Sequence, residues 1–184
     1  MKILFALLIC APAWAVDTVD HIDIHRYLGT WNEIASIPQS FQKNCYKNTQ
    51  AEYDLLEDGF IKVINSCETK EGDIDSAEGR ARKNPKQKKD SKLQVTFVKF
   101  FKSWIWAFSG NYWVLDLDDN YQWSVVGDPT LKYLWILSRK PKMKRKTLLD
   151  IRNFIEGLGY DSCKVLLSRQ GQSAPQKRQA LCDL

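Results

Sequence analysis

The sequence predicts an all-β fold: an eight-stranded up-and-down antiparallel β-barrel with one C-terminal α-helix packed outside. Three observations lead there. Short strand-like segments alternate with regular turn signals between residues 30 and 138, the pattern of all-β barrels and sandwiches. After Pro141 the period changes once, and Leu148, Ile151, Ile155 and Leu158 recur at helical spacing. Finally, Gly29-Thr30-Trp31 opens the first strand, and far downstream Tyr133-Leu134-Trp135-Ile136-Leu137-Ser138 ends on Arg139. A tryptophan at a barrel floor under an arginine guanidinium is a cation–π plug. Gly29, Trp31 and Arg139 are therefore assigned to one structural plug.

The elements follow in order. Residues 1–15 read as a signal peptide: Lys2 supplies the positive start, Ile3 to Ile9 the apolar run, and Ala13-Trp14-Ala15 the small residues before cleavage. Ile9, not a small residue, precedes Cys10, so lipoprotein anchoring at Cys10 is not expected. Residues 16–170 are assigned to the barrel and helix, and 171–184 to a polar tail. Strands are expected near 30–37, 46–56, 60–68, 73–82, 91–98, 111–117, 121–126 and 133–138. Glu57-Asp58-Gly59, Glu71-Gly72-Asp73, Asp118-Asp119-Asn120 and Gly127-Asp128-Pro129 supply turns. Eight strands in this order can close and leave no exposed edge. Gly159 can end the helix, and Cys163 to Ser168 can add a short strand beside the first.

The chain has 184 residues, 44% of them hydrophobic, with a mean hydropathy of −0.39 and a net charge of +5. That suits one soluble domain with a real core. The mild positive charge permits contact with anionic lipid but does not require nucleic acid. With Cys10 removed, Cys45, Cys67, Cys163 and Cys182 remain. An even number after an export signal implies disulfides. Cys45–Cys67 is favoured because the two flank one predicted hairpin, leaving Cys163–Cys182 to staple the tail. No metal site is expected: no CxxC spacing occurs, and His21 and His25 precede the first strand.

Strand alternation assigns inward faces. If Trp31 points in, so do Glu33 and Ala35. Counting back from Arg139, so do Leu137 and Trp135. Tyr53, Val63, Val95, Phe97, Tyr112 and Val114 join them. These residues make an aromatic, mostly apolar cup suited to a long apolar ligand with one polar end. Side-chain filling of the barrel is the competing reading. Glu33 either orients a ligand head group or is a carboxylate satisfied inside the wall. The run from Phe97 to Phe108 continues a strand into an aromatic loop at the open end. Phe100, Phe101, Trp104 and Trp106, with Phe41 on the first large loop, are expected at the mouth, roofing the cavity, touching a membrane interface or packing on one another. Lys83 to Lys89 and Arg139 to Lys146 are basic runs at the opposite, closed end, either solvated or resting on anionic lipid. Separation of aromatic and basic groups argues against nucleic acid. No Ser-His-Asp arrangement and no Gly-rich phosphate loop is readable, so an enzyme is not expected.

The Gly29-Thr30-Trp31 and Arg139 pair continues through Ile37-Pro38-Gln39-Ser40-Phe41, Glu78-Gly79-Arg80-Ala81 and Asn111-Tyr112-Trp113-Val114-Leu115-Asp116-Leu117-Asp118. In that order, over nearly all of the mature chain, these motifs resemble the lipocalins, and within them the bacterial outer-membrane lipocalin and apolipoprotein D branch. The resemblance implies an open cavity, with Tyr53, Asn65, Tyr112 and Trp135 in the pocket. It also implies a rival disulfide pairing, Cys45–Cys182 with Cys67–Cys163. The expected ligand is a fatty acid, a lysophospholipid or another small hydrophobic molecule, carried without a cofactor. The protein is expected to be exported, periplasmic or secreted, with peripheral contact with an outer membrane, as a monomer or homodimer. A membrane-surface or protein-interaction module using loop 99–108 is the alternative, and an enzyme acting on a bound isoprenoid or prostanoid is a third reading.

Overall fold

The computed structural model describes residues 16–172 and 177–184. The expected signal peptide and Cys10 lie outside them. In chain order the elements are α1 (Ile24–Tyr27), β1 (Gly29–Ser36), β2 (Lys47–Leu55), β3 (Ile61–Glu68), β4 (Ile74–Lys83), β5 (Lys92–Thr96), β6 (Lys99–Phe100), β7 (Ser103–Trp104), β8 (Gly110–Leu117), β9 (Trp123–Gly127), β10 (Leu134–Ser138), α2 (Arg145–Gly157) and β11 (Leu166–Leu167). Eight antiparallel strands, β1 to β5 and β8 to β10, form the barrel. Pairing of β10 with β1 closes it, and β11 adds outside on β1.

Closure brings an irregularity with it. Asn32 pairs Ser138 and Glu33 pairs Leu137, but Ala35, not Ile34, pairs Ile136. One extra residue in a ladder shifts the side-chain phase. Trp31 and Leu137 pack in the inner cluster, while Ile34 and Ala35 both pack in the outer one. Ala35 was expected to point inward, and the bulge at Ile34 overturns that. β8 repeats the device: Val114 pairs Val126, then Asp116 pairs Val125. Trp113 and Leu115 join the outer cluster, and Val114 joins the inner one.

The outer cluster is the seat of α2. Leu148, Ile151 and Ile155 form one stripe of the helix and are buried there. Each such side chain is worth roughly 1.5–3 kcal/mol of burial. The helix stops where Gly159 takes φ +94, a conformation that favours glycine. Disulfides join Cys45 to Cys67 and Cys163 to Cys182, with Cα separations of 5.4 and 4.9 Å. The second ties the 3-10 turn after α2 to the end of the chain.

The closed end is crossed by residues 16–28, of which sequence reading assigned no helix. Asp23 caps α1 by accepting from the His25 backbone at 3.0 Å. Val19 donates to the Val114 carbonyl at 3.1 Å, and the Asp23 backbone donates to the Tyr121 hydroxyl at 2.8 Å. This strap presses Tyr27 onto Trp31, with ring centroids 4.9 Å apart. Arg139 covers the other face of the joint. Its Cζ lies 3.8 Å from the Trp31 ring centroid. Its Nη1 donates to the Thr30 carbonyl at 2.9 Å and its Nη2 to the Arg26 carbonyl at 2.8 Å. Gly29 at φ +87 brings the chain in beneath that guanidinium, where a Cβ would stand 3.5 Å from Nη1.

Arg139→Ala removes the stacked cation and the donors to the Thr30 and Arg26 carbonyls. Two charge-assisted hydrogen bonds and one cation–π contact are together worth about 3 kcal/mol. In a chain of this size that corresponds to a melting temperature lower by roughly 6–12 °C. Circular dichroism melts of the two proteins test this; midpoints within a degree of each other would contradict it.

Candidate ligand-binding cavity

The inner face encloses a cavity of about 700 Å³ that opens at the end opposite the strap. Its lower wall is apolar because the inward positions of β2 to β5 carry Ala51, Tyr53, Ile61, Val63, Ala81 and Leu93. Tyr133 and Trp135, two residues apart on one face, stack with centroids 6.0 Å apart and planes 13° apart, making an aromatic panel near the mouth.

The floor is a cluster of hydroxyls. Tyr112 OH lies 3.0 Å from both Tyr27 OH and Tyr53 OH, and Tyr27 OH lies 2.9 Å from Ser124 Oγ. All three phenols are neutral. Burial pushes Tyr27 up to about 12, and the same desolvation raises Tyr53 and raises Tyr112 well above the ordinary phenol range. The floor therefore offers hydrogen bonds and no charge. Toward the mouth the β3–β4 side becomes polar, with Asn65, Ser66, Asp75 and Ser76 on the lining. Lys132 is the single cation among the described lining residues.

Of the residues singled out from sequence, Glu33, Tyr53, Val63, Asn65 and Val95 line this cavity, as do Phe97, Tyr112, Trp135 and Leu137. Val114 does not. It is fully buried beneath the floor, where the strap crosses β8. Glu33 is buried and well supplied with partners. Ser36 Oγ donates to it at 2.9 Å, Gln42 Nε2 at 2.9 Å, and Ser168 Oγ also bonds it. Arg178 Nη2 stands 3.8 Å away. It is a tie between β1, the first loop and the tail. Sequence reading missed Tyr27, Ile22 and Ile24, which enter from the strap, and Ala51, Ile61 and Leu93. The last three lie two residues from Tyr53, Val63 and Val95, so the period of two already pointed to them.

The aromatic loop divides. Phe97 and Val98 line the mouth, and Gly79 makes room for Phe97: a Cβ there would come within 2.8 Å of its ring. β5 ends at Thr96, whose Oγ1 donates to the Ile105 carbonyl at 3.0 Å and draws the loop back along the barrel. Trp104 and Trp106 were expected at the mouth. Instead they lie against the outer wall, because the outward arginines of β4 hold them there. Arg82 sits 3.9 Å from the Trp106 centroid and Arg80 5.9 Å from that of Trp104. Phe60 stacks on Trp106 at 5.5 Å. Phe41, Phe100 and Phe101 remain exposed, at 64%, 66% and 86%.

Comparison with known proteins agrees with this geometry. A family model described as a lipocalin-like domain matches residues 22–170. Temperature-induced lipocalin-1 of Arabidopsis thaliana is 34% identical over 165 residues, covering 90% of this chain and 88% of the relative. The outer membrane lipoprotein Blc of Vibrio cholerae is 32% identical over 158 residues, covering 85% and 87%. The solved structure of insecticyanin from the tobacco hornworm Manduca sexta superposes with a TM-score of 0.65 at 24% identity, covering 90% of this chain and 91% of that one; at that identity the likeness concerns the fold.

The buried phenols set an alkaline limit. Burial pushes Tyr27 and Tyr160 up to about 12, from 10.0 unperturbed. Their stabilisation is thus complete below pH 10 and is lost as pH rises toward 12. An absorbance titration at the tyrosinate band should show Tyr27, Tyr53, Tyr112 and Tyr160, four of the seven tyrosines, silent through about pH 11. They should then appear together with unfolding. Ionisation of all seven near pH 10 in folded protein would contradict the buried cluster.

Proposed function

The chain belongs to the lipocalin family, whose members bind small hydrophobic ligands, and from that premise we propose that it carries or stores a single-chain amphiphile, a fatty acid or lysophospholipid. The observation that carries the reading is the gradation inside the cavity: apolar walls, a neutral hydroxyl floor and a polar mouth. A volume of about 700 Å³ lies in the range of small-molecule sites. Each buried methylene contributes about 0.8 kcal/mol before ordering costs. An ionised head group has no cation to meet at the floor, so the apolar end goes down and the head group stays at the mouth. The export segment expected in the sequence and the likeness to an outer membrane lipoprotein support an exported protein, periplasmic or secreted, in reach of an outer membrane.

One observation favours a second reading. Phe100 and Phe101 stand at the tip of the short β6–β7 hairpin, with centroids 4.6 Å apart and little cover. Paired exposed aromatics suit a membrane interface. Co-sedimentation of the protein with vesicles, lost in Phe101→Ser, is the outcome this reading expects; equal sedimentation of both proteins would remove it.

Intrinsic tryptophan fluorescence of delipidated protein, titrated with palmitate and with palmitoyl-lysophosphatidylcholine, tests the carrier reading. The expected outcome is a saturable change at micromolar concentration. Trp135→Ala should weaken binding about tenfold, or ~1.4 kcal/mol, with the melting temperature nearly unchanged. A flat titration with both ligands would overturn the reading, and unchanged affinity would remove Trp135 from the site.

A further inference from the structure

Lys132, the single cation among the described residues lining the cavity, stands on a loop that the fold holds in place. The loop joins β9 to β10, and the Lys132 backbone is pinned on both sides. Its N–H donates to Asp128 Oδ1 at 3.0 Å, and so does that of Tyr133, while Thr130 N–H donates to Oδ2 at 3.0 Å. The Lys132 carbonyl accepts from Gln39 Nε2 at 3.1 Å. Asp128 is buried, and these donors occupy both of its oxygens. The side chain of Lys132, by contrast, is exposed. None of the ion pairs among the described residues involves it.

Beside this cation runs an aromatic track. Leu137, Trp135 and Tyr133 follow one another at a spacing of two from the inner cluster to the mouth, and all three line the one cavity. Tyr133 stacks on Trp135 with planes 13° apart and keeps 38% of its surface exposed, so the panel is only partly covered where the cavity opens. A chain lying on Leu137 and Trp135 therefore brings its head group to Tyr133 and Lys132 without leaving the cavity. The exposed carboxylate of the lining, Asp75, is on β4. Three strands separate β4 from β10 in either direction round the barrel, which puts Asp75 across the mouth from the panel.

A free ammonium attracts a phosphate. An aromatic face attracts a quaternary ammonium, whereas a primary ammonium holds its water and is better served by a carboxylate. A choline phosphate carries an anion and a quaternary ammonium a few bonds apart. We propose that Lys132, Tyr133 and Trp135 form a subsite for a phosphocholine head group at the barrel mouth, so that a single-chain choline phospholipid is preferred over its ethanolamine counterpart. The proposal rests on the carrier reading and adds the chemistry of the head group.

The test uses full-length mature protein and displacement of a bound fluorescent fatty acid. Three ligands with the same acyl chain compete below their micelle-forming concentrations: palmitoyl-lysophosphatidylcholine, palmitoyl-lysophosphatidylethanolamine and monopalmitoylglycerol. Wild type should bind the choline lipid about fivefold more tightly than the ethanolamine lipid. Tyr133→Leu keeps apolar bulk without the ring and should bring that ratio close to one, while Tyr133→Phe should retain it. Lys132→Gln should weaken both phospholipids about threefold relative to monopalmitoylglycerol. A wild-type ratio near one, a ratio unchanged in Tyr133→Leu, or an equal loss for all three ligands in Lys132→Gln would overturn the subsite and leave the carrier reading standing. Failure of wild type to bind the fluorescent fatty acid or any of the three would overturn the carrier reading and the subsite with it. Free phosphocholine separates a tethered head group from a free ligand. It should compete only weakly, and displacement at micromolar concentration would contradict the proposal.

Discussion

Pairing β1 with β10 turns a sheet into a barrel, and the extra residue Ile34 in that ladder decides what β1 does on each side of it. Below the bulge, Trp31 points in and becomes the floor joint under Arg139. Above it, Ile34 and Ala35 turn outward to seat α2. A strand with uninterrupted alternation would have sent Ala35 into the cavity and taken it out of the outer cluster that seats the helix. The same departure pulls upper β1 away from β2, and the tail closes the gap. The helix seat lies at this irregularity, and the tail wedge bonds the Glu33 and Ile34 carbonyls within it.

Inside the barrel, polarity is arranged by depth. The deepest polar groups are phenols that burial keeps protonated, so they satisfy one another without inviting an ion. Among the described lining residues, charge is confined to Asp75, Asp128 and Lys132 and to Glu33, which the wall already holds. A cavity of this kind favours ligands whose apolar end is long and whose ionised end stays near the rim. The disulfide Cys45–Cys67 joins the first loop to β3, and Cys163–Cys182 anchors the segment from which the wedge departs. Cys45 and Cys67 line the cavity, and Cys163 and Cys182 lie outside it.

Much of this was legible in the sequence for physical reasons. Period-two alternation identified Tyr53, Val63, Tyr112 and Trp135 as inward, because a pleated strand has no other choice. The helical stripe of Leu148, Ile151 and Ile155 was equally plain. Bulges were not legible: no residue type marks Ile34 or Leu115, and alternation carried past Ile34 misplaced Ala35. Trp104 and Trp106 looked like mouth residues because hydropathy says nothing about which wall a loop returns along. Their partners Arg80 and Arg82 lie on β4, and nothing in the sequence ties that strand to the returning loop. Tyr27 was hidden by lying before the first strand, in a strap that sequence reading left without structure. The wedge at Ser168 to Gln170 is polar and far from β2 in sequence, so only the fold reveals that it belongs to the wall.

The central claim is that the barrel is an open container for one amphiphile, and stoichiometry tests it most directly. Native mass spectrometry of delipidated protein incubated with excess palmitate should show a single adduct, one ligand per chain, surviving gentle desolvation. Protein that stays ligand-free, or that takes up a ladder of weakly held molecules on its surface, would contradict the account.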